Sequence, residues 1–302
     1  MKSFISRHQI SIFFILTFAF SWFPWYAGIG PEVMTMGPSL AAFLIVIIVG
    51  GKHGLIDFLR PFGRWRAKLY LWGIAIFGPA ILYLIGLGVY VLFGGEPPPF
   101  IMIREELHLI PVYLVLVVLM PWNGPVGEEF GWRGFALPQL QNRYGPLIAS
   151  LVIGVAWGTW HLPSLFAPLG VLGALASSLG VFNFIIIYTL GTTANSFYMT
   201  WLYNKTNSSA LIAGIIWHAA INFWAPVLLS DSSLLAAQEG THLPTIVPSL
   251  YLTVLAMQVL GSIILTIRTK GKLGYQKISE KSPESANQMA VDERSDLHSQ
   301  RG

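Results

Sequence analysis

Apolar runs of membrane-crossing length, following one another with almost no charge, leave this chain few folds. Such runs occupy 10–30, 69–93, 179–203 and 246–267, and about 20 apolar residues cross a hydrocarbon core as a helix. Lipid offers no partner to a backbone N–H or C=O, so only helices and closed barrels span it. No series of short alternating segments points to a barrel. Charged residues are 11% of the 302, less than half the usual share in soluble proteins. The expected fold is all-α, a polytopic transmembrane bundle of about eight spans.

Taken in order, the chain starts with Lys2 and Arg7 before the run 10–30, which no small-x-small cleavage site closes; it reads as an uncleaved first span. A short second span covers 37–49, and 52–68, with Arg60, Arg64, Trp65 and Arg66, reads as a basic interfacial loop. After the third span comes a loop, 94–108, in which Glu105 and Glu106 read as solvated. The stretch 109–120 is apolar but short, and its accommodation is open at this stage. A polar-motif helix over 126–142 and a span from Pro146 follow. Next are a small-residue connector over 167–178 and a span containing Asn183, Thr192, Thr193 and Asn195. A helix over 210–228, a loop over 229–245 and the final span complete the membrane part. The tail after Arg268 is polar and poor in apolar residues, so disorder is expected there. The division is then N-terminal helices over 1–108, a core over 109–268 and a tail over 269–302. With both termini cytoplasmic, all but Arg104 of the 18 Lys and Arg fall on the cytoplasmic side, which the positive-inside rule favours. The chain is expected to be a multi-pass protein of the cell membrane.

Within this apolar background lies Glu128-Glu129-Phe130-Gly131-Trp132-Arg133, then Arg143-Tyr144-Gly145-Pro146, then Trp157-Gly158-Thr159-Trp160-His161. Ionised groups lose hydration in such a setting, so each needs a partner or a function. Glu129 and Arg133 are four apart and share a helix face, which suits a structural ion pair. Glu128 points about 100° away from that face. Gly145-Pro146 punctuates the pattern and is expected to fold two helices into an antiparallel hairpin. Glu128 and His161 lie about equally far from that turn, at similar height on facing helices. A carboxylate facing an imidazole in a dry setting is a general-base arrangement. Further on, His218 and Asn222 share one face of an apolar helix.

These motifs resemble the CPBP family, which groups CAAX-type prenyl-protein proteases with bacterial Abi or bacteriocin-processing homologues. The family pattern is Glu-Glu-x-x-x-Arg, then Phe-x-x-x-His, then His-x-x-x-Asn. Here it reads Glu128, Glu129 and Arg133, then Trp157 and His161, then His218 and Asn222, over about Pro121 to Phe223. Trp157 stands where the family has Phe, a conservative departure between two large aromatics. The resemblance implies an intramembrane endopeptidase acting on a membrane-associated peptide or a lipidated, CAAX-like protein tail. It implies catalytic roles for Glu128, His161, His218 and Asn222.

Two mechanisms fit those residues. In one, Glu128 and His161 deprotonate a water while His218 and Asn222 donate hydrogen bonds to the developing oxyanion. In the other, Glu128, His161 and His218 ligate a Zn²⁺ that activates the water, as the metalloprotease label common in the family suggests. No His-Glu-x-x-His pair is present, and the metal-free version is preferred. Other function classes are a proton-coupled transporter, with Glu128 and the histidines as relay groups, and a non-catalytic immunity or regulatory membrane protein. A relay needs neither Asn222 beside His218 nor a self-paired Glu129–Arg133, and a scaffold has no reason to bury ionisable groups. The chain has no cysteine, which excludes a thiol nucleophile and thiolate ligands. Its net charge of +4 is accounted for by topology, so the expected partners are the bilayer and a membrane-borne substrate, not nucleic acid. His8, His53, His108 and His242 lie near expected ends or loops and are assigned no role.

Overall fold

A computed structural model describes residues 2–30, 33–119, 124–166, 171–231 and 246–276. Among them there is no strand, as a chain whose backbone must satisfy itself within lipid requires. The helices are α1 (Lys2–Arg7), α2 (Gln9–Tyr26), α3 (Gly37–Leu59), α4 (Leu69–Leu92), α5 (Ile101–Arg104), α6 (Ile110–Leu119) and α7 (Pro125–Glu129). They continue with α8 (Leu137–Trp160), α9 (Val171–Leu179), α10 (Val181–Lys205), α11 (Trp217–Leu229) and α12 (Pro248–Arg268). Two π-helical segments, Phe130–Ala136 and Leu211–Ile216, lead into α8 and α11.

By length and composition, 6 helical segments can cross a membrane, the longest being Pro125–Phe166 at 42 residues. That segment is two arms in one. Gly145 has φ 81° and ψ 165°, which breaks the helix there, and a positive φ is open to glycine without steric cost. The arms face each other as the spacing predicts, but Glu128 bonds Trp157, one turn before the expected His161, and the rings of Trp132 and Trp160 meet edge to face at 6.2 Å. α10, with 25 residues, is also long enough to cross. The 10 residues of α6 cover about 15 Å, half of a core about 30 Å thick. α6 packs beside α11: Tyr113 stacks on Phe223 and its hydroxyl donates to the carbonyl of Asn222.

Apolar surface has no water to escape inside a bilayer, so helices there associate through close packing and hydrogen bonds. The second arm of α8 meets α10 through Gly154 and Gly158. A Cβ on Gly158 would fall 2.6 Å from Cα of Thr189, and Thr192 donates its hydroxyl proton to the carbonyl of Gly154 at 2.9 Å. On the other side, Phe13 of α2 packs edge to face against Trp132 at 5.6 Å, locking the hairpin to the N-terminal helices.

Several local expectations are corrected. α3 does not stop at Val49: it resumes after Gly51 (φ 56°) and runs to Leu59, so much of the expected loop is helix. The connector contains α9, with 167–170 outside the described residues. Glu105 is exposed, but Glu106 is buried at 5% exposure, because tertiary packing covers a side chain that local polarity marks as solvated. Beyond α12, 269–276 docks under the bundle: Leu273 is fully buried, its carbonyl accepts from Asn204, and Tyr275 donates to Asn142. The expected disorder over 277–302 and most of the loop over 229–245 lie outside the described residues. This docking gathers Pro146, Lys205, Arg268 and Lys272 around one cavity, so the basic ends of α10 and α12 share one side of the bundle.

Candidate active site

The site begins at a backbone turn. Gly124 has φ +102°, and Pro125 occupies the first turn of α7, where its missing N–H costs nothing. This turn brings the two carboxylates into the protein, with Glu128 at 1% and Glu129 at 0% exposure. They then part. Glu129 Oε1 accepts from Arg133 Nη1 at 2.8 Å, the ion pair expected from the spacing, with Arg133 itself fully buried. The same oxygen also faces His218 Nδ1 at 2.9 Å. Glu129 is thus more than the structural partner of Arg133: it ties the first arm to α11. The pair fits against the π-helical segment before α11 because Gly214 has no side chain; a Cβ there would lie 3.1 Å from Glu129 Oε2.

Glu128 turns to the second arm. Its Oε2 accepts from the indole N–H of Trp157 at 2.6 Å. One turn later His161, at the end of α8, places Nδ1 2.8 Å from the carbonyl of Trp157. A carbonyl only accepts, so Nδ1 carries the proton and Nε2 is the basic nitrogen of a neutral ring. The chain at this point is held from α2, where Trp22 donates its indole N–H to the carbonyl of Trp160 at 2.9 Å. Tyr188 of α10 packs edge-on against the His161 ring at 5.1 Å.

Three functional atoms converge beside Gly124. The position a Cβ would take on that glycine lies 3.0 Å from Glu128 Oε1, 3.2 Å from His218 Nε2 and 3.4 Å from Asn222 Nδ2. Glycine therefore serves twice here, for its backbone angle and for the room it leaves. Glu128, His161, His218 and Asn222 all line one cavity of about 550 Å³, whose other walls include Tyr188, Tyr251, Leu172, Leu175 and Val254. A largely apolar chamber with a few convergent polar groups is the form of a ligand site. With Nδ1–H directed at Glu129, a neutral His218 presents a lone pair at Nε2; only when protonated does it donate from both nitrogens.

Glu128, His218 and Asn222 thus converge beside Gly124, His161 lines the same cavity, and Glu129 pairs with Arg133. Among the described residues no group of three or more His, Asp and Glu is placed to hold a metal ion. Spacing alone passed over three features. Gly124 carried a signal in the Gly-Pro turn before the motif helix. The Glu129–His218 bond joins residues 89 apart and has no local signal. Trp157 stood in plain view, but as a bulky aromatic; its N–H is what reaches Glu128.

The sequence model of a family described as type II CAAX prenyl endopeptidase Rce1-like matches residues 110–224. That range holds Gly124, Glu128, Glu129, Arg133, Trp157, His161, His218 and Asn222. A curated relative, CAAX prenyl protease 2 of Methanococcus maripaludis, is 26% identical over 260 residues, covering 78% of this chain and 89% of the relative.

Proposed function

We propose that the chain is an intramembrane endopeptidase of the CPBP family of CAAX-type proteases that uses Glu128 and His161 to activate water, a reading its likeness to that family supports. The observation that carries this reading is the convergence of Glu128 Oε1, His218 Nε2 and Asn222 Nδ2 on one point at the wall of an apolar chamber. A general base and hydrogen-bond donors around one reacting position are the parts that peptide hydrolysis needs.

In this mechanism a water held between Glu128 and His161 Nε2 gives up a proton as its oxygen attacks the scissile carbonyl carbon. The carbonyl oxygen gains negative charge and takes a hydrogen bond from Asn222 Nδ2. A protonated His218 adds a second from Nε2, with Glu129 as its counter-charge at Nδ1. When the C–N bond breaks, the abstracted proton passes to the leaving nitrogen, so water's hydroxyl ends on the acyl fragment and its other proton on the amine fragment. Arg133 neutralises Glu129, leaving Glu128 as the carboxylate that faces the chamber.

The chamber suits a substrate with an apolar appendage. Leu172, Leu175 and Val254 offer no hydrogen bond and favour a lipid chain over a polar peptide side chain. The substrate we propose is a lipidated, CAAX-like protein tail. It approaches from the side that gathers Lys205, Arg268 and Lys272, which the positive-inside rule makes cytoplasmic.

The test uses purified protein in liposomes with a synthetic CAAX-terminated peptide, farnesylated or unmodified, and mass spectrometry of the products. Cleavage of the farnesylated peptide by wild type but not by Glu128→Ala is the expected result. Equal cleavage of both peptides would remove the lipid from the recognition. Cleavage of neither by wild type, in a preparation shown to be folded, would count against this substrate; equal rates for wild type and Glu128→Ala would overturn the mechanism.

A further inference from the structure

Trp157 touches Glu128, Arg133, His161 and His218. Its indole N–H donates to Glu128 Oε2 at 2.6 Å, and the Arg133 guanidinium sits 4.7 Å over its ring. Its ring meets that of His218 edge to face at 5.1 Å, and its carbonyl accepts from His161 Nδ1 at 2.8 Å. The side chain is buried, and turning the ring would break its contacts with Glu128, Arg133 and His218 together.

We propose that Trp157 is a positioning residue: its N–H fixes Oε2 of Glu128 and thereby aims Oε1 at the reacting water. A carboxylate joined to its helix by single bonds can swing, and a general base that swings wastes most of its encounters. Tying one oxygen to a donor on the facing arm stops that motion. The free oxygen is left at the point beside Gly124 where His218 Nε2 and Asn222 Nδ2 also arrive. A hydrogen bond to an ionised acceptor in a dry setting is short and strong, consistent with 2.6 Å. The phenylalanine of the family pattern fills the same space but has no proton to give. This device therefore belongs to the chain's own departure from that pattern, and the exchange is not conservative in chemistry.

The inference rests on the reading of Glu128 as the base, and the experiment separates the two. Trp157 is replaced by Phe and, through an expanded code, by β-(3-benzothienyl)alanine, whose sulfur takes the place of the N–H in a ring of nearly the same shape. Both variants should lose about 10- to 100-fold in kcat, with KM within about twofold of wild type, as expected for loss of one bond to a charged group. In wild type labelled with ¹⁵N-tryptophan, the indole signal absent from Trp157→Phe should lie downfield and move upfield in Glu128→Ala. A benzothienylalanine variant with wild-type kcat would overturn the proposal, whatever the Phe variant does, because only the ring would then matter. A change confined to KM would also overturn it, making Trp157 a substrate contact. An active Glu128→Ala would instead remove the reading on which the proposal stands.

Discussion

The two histidines of the site are held in opposite ways. His161 takes its orientation from its own helix, through the carbonyl of Trp157 four residues back. His218 takes its orientation from across the bundle, through Glu129, which is also shared with Arg133. One half of the site is therefore built locally and is as robust as α8. The other half depends on a buried pair between two elements, each adjoining a π-helical segment. A function placed on both halves inherits the fragility of the second, so substitutions should separate into those that stop chemistry and those that loosen the fold.

The largest effect is expected on the local half and its partner. Glu128→Ala and His161→Ala should each lower the cleavage rate by about two to four orders of magnitude while leaving the protein folded in membranes. Rates in detergent beside a thermal melt check this, and a Glu128→Ala enzyme running at the wild-type rate would contradict it. Next comes Arg133→Ala, which leaves Glu129 buried without its cation and should cost about 3–5 kcal/mol of stability. Low yield and aggregation in detergent are expected. A well-folded but inactive Arg133→Ala protein would instead move Arg133 into the chemistry and erase the contrast between the halves.

Smaller effects sharpen the contrast. His218→Ala and Asn222→Ala should each cost about 2.7–4 kcal/mol of transition-state stabilisation as lost oxyanion donors. The two part in the melt, because His218→Ala also removes a partner of Glu129 whereas Asn222→Ala leaves that bond intact. Identical melting of the two variants would show that the Glu129–His218 bond carries no stability. Gly124→Ala forces a methyl group among Glu128, His218 and Asn222 and should displace them enough to cost about 10²-fold in rate. Wild-type activity in Gly124→Ala would mean that the three atoms converge elsewhere during catalysis.

Much of this was legible in the sequence because helical spacing is a strong code. Glu129 with Arg133 and the hairpin at Gly145 followed from a 3.6-residue period and one glycine-proline pair. The membrane bundle followed from the length of the apolar runs. What spacing could not supply falls into two kinds. Contacts between distant segments, such as Glu129 with His218 or the burial of Glu106, leave no periodic trace. The π-helical segments also leave none, since their wider turn is selected by packing at the site and not by residue type. Trp157 is a third case: the residue type was read for its volume when its single N–H mattered.

The central claim, that Glu128 and His161 act on water directly, is tested most directly by metal analysis on active enzyme. Purified wild type is dialysed against chelator, assayed for peptide cleavage, and measured by elemental analysis in the same preparation, beside His218→Ala and Asn222→Ala. The account predicts that activity survives and that all three proteins hold far less than one metal per chain. Activity lost to chelator and restored by zinc, with about one zinc per chain in wild type and Asn222→Ala but none in His218→Ala, would contradict it.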